Sequence, residues 1–523
     1  MHRNAPHSDT VTARGNGFVS DCLGRVTAAG SARSAAALRP IRQTGTIREM
    51  VGLSVRFQGL WVPVGSLCRV VRRGLSAPSQ MTTTDRADGA SAVLGEVIGY
   101  ADGAGLLMPY GPVEGLNAGD RVECLVQVPS VPVGPGLLGR VIDGLGRPLD
   151  GRGPLAGDDP FRAARFGAAP HPLPRRRALA GEPPDPITRR RISEPVATGI
   201  RAIDGFLTCG KGQRMGIFSG AGVGKSVLLG MIARHTSADV NVVALIGERG
   251  REVRDFIDGE LGPKGLARSV VVVSTSSDPA PLRVRAATVA ATVADDFRDR
   301  GCDVMFLMDS VTRIALAQRE IGLSAGEPPA TRGYPPSVFA LLPTLLERAG
   351  CAEHGTITGF YNVLVEGDDI DEPVSDAARS VLDGHIWLDR SLASRRHYPA
   401  VGVLASVSRL SPAVTSAEHR KAADRIARLL AAHTEADDLI SIGAYVKGSD
   451  PEVDVAIEMR DSINAFLRQA RDERAEMGGT VKDLIDLAER ADRIAKEAAS
   501  ARAKAHPGLQ RIGTPAAAGG RAK

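Results

Sequence analysis

An α/β core with a mostly parallel sheet, preceded by a small β-barrel and followed by a helical domain, is the fold this sequence predicts. Three observations carry it. A short apolar run, Met215 to Phe218, breaks into the glycine-rich stretch S-G-A-G-V-G-K-S (Ser219 to Ser226) and resumes as the helix-like Val227 to Arg234. Apolar strand candidates at Asn241 to Ile246, Ser269 to Ser274, Val304 to Met308 and Thr356 to Tyr361 then alternate with helical stretches, which places helices on both faces of a parallel sheet. Before this core lie short β-rich runs; after Arg409 the pattern turns helical.

In chain order, residues 1–45 are rich in Ala, Ser, Gly and Arg and cannot bury a core, so they read as a basic, disordered tail. Residues 46–128 hold β-rich runs such as Val51 to Phe57, Ala92 to Tyr100 and Arg121 to Val126, separated by Gly, Pro and Asp, and suit a barrel. The core is expected over 129–410, with the turn-dense segment Leu138 to Gly151 leading into it. A helical domain follows over 411–479, through Ala417 to Glu435 and Pro451 to Glu476, where Gly478 and Gly479 interrupt it. Residues 480–523 read as a helix, with Val481, Leu484, Ile485 and Leu487 at helical spacing, and then a Pro, Gly and Ala-rich tail.

Composition narrows the class. A chain of 523 residues exceeds one ordinary domain, and 43% hydrophobic with 24% charged residues is globular usage. Six cysteines without a C-x-x-C pair argue for a reducing compartment and against a zinc site or disulfide framework. No apolar segment reaches membrane-spanning length, and the arginines near the N-terminus lack a following apolar stretch. The expectation is a soluble, cytoplasmic protein.

The glycine-rich stretch has the makings of a phosphate cradle. Backbone N–H groups along Gly220, Ala221, Gly222, Val223 and Gly224 would wrap a triphosphate, Lys225 would add a point charge, and the Ser226 hydroxyl would face Mg²⁺. Glycine is the usual first residue of this pattern, and Ser219 stands there instead. Transfer of a phosphoryl group to water also needs a metal ligand and an oriented water. Asp309 ends the apolar run Val304 to Met308 and is the candidate for the Mg²⁺ shell, the alternative being a simple helix cap. Glu248 follows Val242 to Ile246 and is the candidate general base, with Arg249 beside it to meet phosphate oxygens and Glu252 behind it. Taken alone, Glu248 could be a surface charge paired with Arg251 or Arg254, but its position at the end of a buried strand decides otherwise.

The words V-V-A-L-I-G-E-R-G-R-E-V-R-D-F (Val242 to Phe256), F-L-M-D-S-V-T-R (Phe306 to Arg313) and G-E-P-P-A-T-R-G-Y-P-P-S-V-F (Gly326 to Phe339), together with the loop, resemble the catalytic subunits of the rotary ATPase superfamily. More narrowly they resemble the ATPases of type III protein export. D-G-H-I-W-L-D-R (Asp383 to Arg390) and I-G-A-Y-V-K-G-S-D (Ile442 to Asp450) extend the likeness from about Gly45 to Gln469, the latter pointing to the flagellar branch. The resemblance implies a RecA-like P-loop ATPase core in a homohexameric ring that hydrolyses ATP with Mg²⁺ and energises export. It assigns Tyr398 to the adenine, Arg409 to an arginine finger reaching a neighbouring subunit, and Arg313 to the vicinity of the phosphates. It also implies a stator-like regulatory protein, a coiled-coil stalk, export chaperones and a membrane export gate as partners. Location would be cytoplasmic and peripheral at the inner membrane, with no nucleic-acid partner.

Other classes compete. A rotary ATP synthase catalytic subunit would carry an acidic D-E-L-S-E-E-D-like word in its helical domain, absent here. An injectisome-type ATPase is the nearest alternative, from which I-G-A-Y-V-K-G-S-D (Ile442 to Asp450) is the distinguishing word. An RNA-translocating hexameric helicase would need stacking aromatics on the barrel, for which Phe57, Trp61 and Tyr100 are the candidates. A scaffold that binds ATP only to assemble would not need Glu248.

Overall fold

The computed structural model describes residues 43–72, 92–155, 175–220, 222–365 and 372–505. The basic tail up to residue 42, Ala221 of the cradle and the tail beyond Ala505 lie outside the described residues.

Six strands close a barrel in the order β1-β2-β5-β4-β3-β6, with β1 Thr44–Val51, β2 Ser54–Gln58, β3 Leu67–Val71, β4 Ala92–Ala101, β5 Ala104–Pro109 and β6 Arg121–Val126. The expected single run Val51 to Phe57 is instead a hairpin. Gly52 takes φ +58°, a left-handed turn that glycine tolerates, and reverses the chain so that Met50 pairs with Val55. Strand β1 also begins two residues ahead of the expected boundary, because Thr44 and Gly45 pair with Glu123 and Val122.

The barrel aromatics do not form a row of open platforms. Phe57 is fully buried, and the Tyr100 hydroxyl donates to the Val62 carbonyl at 2.6 Å and accepts from the Val62 N–H at 2.9 Å. Trp61 lies stacked over Tyr100 at 5.2 Å. Trp61 keeps its outer face in solvent, 68% exposed, so the barrel offers one open platform rather than a row, which gives the helicase reading little support.

Two short ribbons, β7 Ser130–Val133 with β9 Arg175–Ala178 and β10 Pro195–Val196 with β11 Cys209–Gly210, flank the core. Among the described residues the core sheet has nine strands. They are β8 Val141–Asp143, β12 Arg214–Ser219, β13 Val240–Glu248, β14 Ser269–Thr275, β15 Asp303–Asp309, β16 Gly350–Cys351, β17 Thr356–Leu364, β18 Gly384–Leu388 and β19 Val407–Ser408. The order is β19-β18-β12-β17-β15-β13-β14-β8, with β16 on β17. All pairings are parallel except those of β16 and β19. The segment Leu138 to Gly151 is therefore more than a turn, since Val141–Asp143 supplies the edge strand beside β14.

Burial on both sides explains the uninterrupted apolar runs. Met215, Ile217, Val243, Leu245, Met305 and Leu307 face the helix Lys225–His235 and the helical domain. Phe218, Val242, Ala244, Val304, Phe306 and Tyr361 face the opposite layer, built on helices Ala280–Asp299, Val311–Ser324 and Pro336–Leu346. The loop, Glu248 and Asp309 consequently emerge at one sheet edge, the carboxyl end of β12, β13 and β15, where open α/β sheets gather ligands.

The helical domain departs from expectation at its end. Its second helix stops at Leu467, well before Glu476, and Arg468 to Glu476 form an irregular segment. Gly478 and Gly479 do not interrupt anything: they sit in the first turn of helix Met477–Ala505. Leu484, Ala488 and Ala491 of that helix are buried against the shared core, so the apolar stripe serves the domain itself. No helix among the described residues is long and apolar enough to cross a membrane.

Candidate phosphate-binding site

The loop between β12 and helix Lys225–His235 turns sharply because Gly222 and Gly224 hold φ +81° and +96°, conformations that L side chains rarely adopt. Helix Lys225–His235 starts immediately after Gly224, so its unpaired N–H groups and dipole point at the loop. An anion fits there by charge and by hydrogen bonding.

Lys225 reaches two carboxylates. Its Nζ lies 3.0 Å from Asp309 Oδ1 and 3.6 Å from Glu248 Oε1. Asp309 is 2% exposed, and Asn362 Nδ2 donates to its Oδ1 at 2.6 Å. Asn362 faces Asp309 across the parallel β15–β17 register. That residue escaped the sequence reading; the available signal was a lone amide inside the apolar strand T-I-T-G-F-Y-N-V-L, all but its last residue buried.

Glu248 owes its position to a bulge. The β13–β14 register shifts between Ile246 and Glu248, and Gly247 sits at φ +74° with no room for a Cβ, which would lie 2.7 Å from Arg313 Cδ. Arg313 Nε in turn lies 3.3 Å from Glu248 Oε1. Burial, and then the negative charge of Asp309, push the Glu248 carboxyl up to about 7 against the pull of Lys225 and Arg313. In its protonated form Glu248 donates to Glu252. That bond, with Arg249 and Arg251 nearby, holds Glu252 below the usual carboxylate range. Glu248 Oε1 is buried without a hydrogen-bond partner among the described residues. A carboxyl so placed can exchange a proton near neutral pH with a water or ligand in front of it.

The remaining candidates divide. Arg249 faces outward, 74% exposed, paired with Glu252, while Arg313 takes the place beside Glu248. Ser226 is exposed at the start of the loop helix. Tyr398 borders a cavity of about 410 Å³ together with Gly222, Val223 and Gly224 of the loop and Gln469, Ala470 and Arg471 of the irregular segment. Its ring approaches Gly224 closely enough that a Cβ there would sit 3.5 Å away. The cavity is mostly apolar with a few polar groups, the character of a small-molecule pocket. Arg409 is exposed and lies elsewhere. Its N–H donates to Asp383 O at 3.0 Å, and Ser408 pairs with Gly384, which is level with Met215 at the amino end of β12. Within one chain it stands at the sheet edge opposite the loop.

Known proteins are similar to this chain in sequence and fold. Residues 199–408 match the ATP synthase alpha/beta family, nucleotide-binding domain, and residues 415–486 match the T3SS EscN ATPase C-terminal domain. The chain is 46% identical to the flagellum-specific ATP synthase of Bacillus subtilis, across 85% of this chain and 95% of that protein. It is 51% identical to the SPI-2 type 3 secretion system ATPase of Salmonella typhimurium, across 73% and 84%. It is also similar to the solved structure of the assembled ATPase EscN from enteropathogenic E. coli, with TM-score 0.75 and 42% identity over 85% of this chain and all of that one. The same ATPase in complex with its central stalk EscO matches with TM-score 0.73.

Proposed function

The chain belongs to the flagellum-specific and type 3 secretion ATPases of the ATP synthase alpha/beta family, and on that premise we propose that it hydrolyses ATP in a homohexameric ring serving type III export, in the flagellar branch. The carrying observation is the convergence of Lys225, Glu248 and Asp309 at the glycine loop, beside a mostly apolar cavity bordered by Tyr398 that has room for a nucleobase.

In this reading the loop N–H groups and Lys225 hold the β- and γ-phosphates, and Glu248 orients the attacking water and takes up its proton. Ser226 and Asp309 offer hard oxygen donors, the chemistry that Mg²⁺ prefers, with Asn362 steadying the carboxylate. When bound, Mg²⁺ neutralises charge on the phosphate oxygens. Arg313 sets the orientation of Glu248, and Arg249 remains available for phosphate only if its side chain swings inward. Arg409 stands too far round the sheet to serve its own loop, which supports a finger delivered to the neighbouring copy. The stalk is the partner best supported, since EscN has been seen with its own; the stator-like protein, chaperones, gate and cytoplasmic membrane-peripheral location rest on family resemblance.

The injectisome branch is the second reading, favoured by the 51% identity to the SPI-2 ATPase. Purified protein should hydrolyse ATP with a specific activity that climbs with protein concentration and ignores added RNA. Activity independent of concentration would remove the ring, and RNA-dependent activity would restore the helicase. Flagellar chaperones co-purifying from native cells would decide the branch.

A further inference from the structure

The irregular segment Arg468 to Glu476 does two jobs at once. Gln469 pins it to the core: its N–H donates to Tyr398 O at 3.0 Å, its side-chain amide donates to Gly199 O at 2.7 Å, and its Oε1 accepts from Arg201 N–H at 2.9 Å. Two residues on, Arg471 is the one charged residue among those lining the base slot.

Arg471 is tied to the elements that carry the catalytic candidates. Its guanidinium donates to Gly259 O at 2.7 Å and lies 3.2 Å from Glu260 Oε1. Its carbonyl accepts from Arg234 of the loop helix at 2.7 Å. Gly259 and Glu260 belong to a π-helical turn, Phe256–Leu261, that continues directly from helix Gly250–Asp255 and so from Glu248 and Glu252. The contact with the loop helix is close: a Cβ on Gly230 would sit 2.6 Å from Glu260 Cβ. The π turn closes this helix, since Gly262 after it takes φ +64°, and such turns are uncommon and recur at functional sites.

We propose that Arg471 is a positioning residue that communicates occupancy of the base slot to Glu248 through Gly259, Glu260 and the π turn. It rests on the nucleotide reading of the site. A base in the slot that contacts Arg471 or displaces it changes the pull on Gly259 and Glu260. Binding energy from the non-reacting base is thereby directed to the reacting end, which raises turnover rather than affinity. A bare triphosphate would fill the loop without engaging this route.

The test uses the full chain at a concentration where specific activity has levelled off. Amide hydrogen exchange across residues 250–261 is followed with ADP and with pyrophosphate, and ATP turnover is measured for Arg471→Met, Arg471→Lys and Glu260→Gln. Methionine keeps the aliphatic stem and removes the charge. The expected result is slower exchange with ADP but not with pyrophosphate in the wild type, and no difference between the two in Arg471→Met. Arg471→Met should lower kcat about tenfold with KM changed less than about threefold, as for loss of a charged hydrogen bond felt mainly in the transition state. Lysine should restore most of the rate, and adding Glu260→Gln to Arg471→Met should cost little more. Equal protection by ADP and pyrophosphate, or a raised KM with unchanged kcat, overturns the proposal. A wild-type chain that neither binds ADP nor turns over ATP overturns the nucleotide reading itself.

Discussion

If Arg409 completes the site of a neighbouring copy, two inactive variants should rescue each other. Arg409→Ala removes the finger and leaves the loop, Lys225, Glu248 and Asp309 untouched, because Arg409 lies at the opposite sheet edge beside Asp383. Alone it should bind nucleotide nearly as well as wild type yet lose a factor of about 10³ to 10⁵ in turnover. Glu248→Gln alone should be comparably inactive, having a finger but no base. In a closed head-to-tail ring every interface joins the loop of one copy to the finger of the next. Random mixing of equal amounts then pairs an intact loop with an intact finger at about one interface in four, so about a quarter of wild-type activity should return if interfaces act independently. The assay is ATP turnover after the two variants are dissociated, mixed and reassembled, with each variant mixed against itself as the control. Mixtures that stay as inactive as their components would refute the placement of Arg409 in trans, since a finger acting within its own chain leaves no competent site.

Asn362→Leu removes the amide that donates to Asp309 while keeping the branching and number of side-chain heavy atoms; kcat/KM should fall at least about tenfold and the apparent need for Mg²⁺ should rise, and a change within twofold would mean Asp309 needs no such support. Leu484→Ala empties a fully buried position on helix Met477–Ala505 and should cost about 2–5 kcal/mol in chemical denaturation; a loss under about 1 kcal/mol would detach that helix from the folded unit. Asp150 gives a pH signature. Burial alone would raise its carboxyl, but Arg140 Nε donates to it at 2.7 Å, and with backbone N–H groups brings it down from 3.8 to about 2. A depressed folded value stabilises above about pH 4 and loses that stabilisation as pH falls toward 2, so Asp150→Asn should cost about 2 kcal/mol at pH 7 and progressively less below pH 4. A Tm difference from wild type that does not shrink on acidification would refute it.

Much of the site could be read locally. A glycine loop followed by Lys-Ser, and carboxylates at the ends of apolar runs, are short-range patterns: glycine permits the turn, and a strand that is apolar throughout must be covered on both faces, which sends its terminal charge to the sheet edge. Helix punctuation was less legible. Gly478 and Gly479 suggest a stop on propensity, a cost of about 1 kcal/mol each, and burial of Leu484, Ala488 and Ala491 in the following turns outweighs it. Gly52 conversely marked a turn within an apolar run whose composition suggested one strand.

By itself the sequence determined the alternation of strands and helices, the glycine-rich turn and a carboxylate at the end of each of two apolar strands, since each depends on residues only a few positions apart. Only the tertiary structure decided which distant groups meet: Asn362 with Asp309 through the β15–β17 register, Arg313 rather than Arg249 beside Glu248, and Gln469 and Arg471 against the base slot. It also decided that the Arg409 backbone stands beside Asp383, at the strand end opposite its own loop. The reason is physical: strand order and register follow from the summed burial of the whole sheet and its covering helices, and no short window of residues carries that sum.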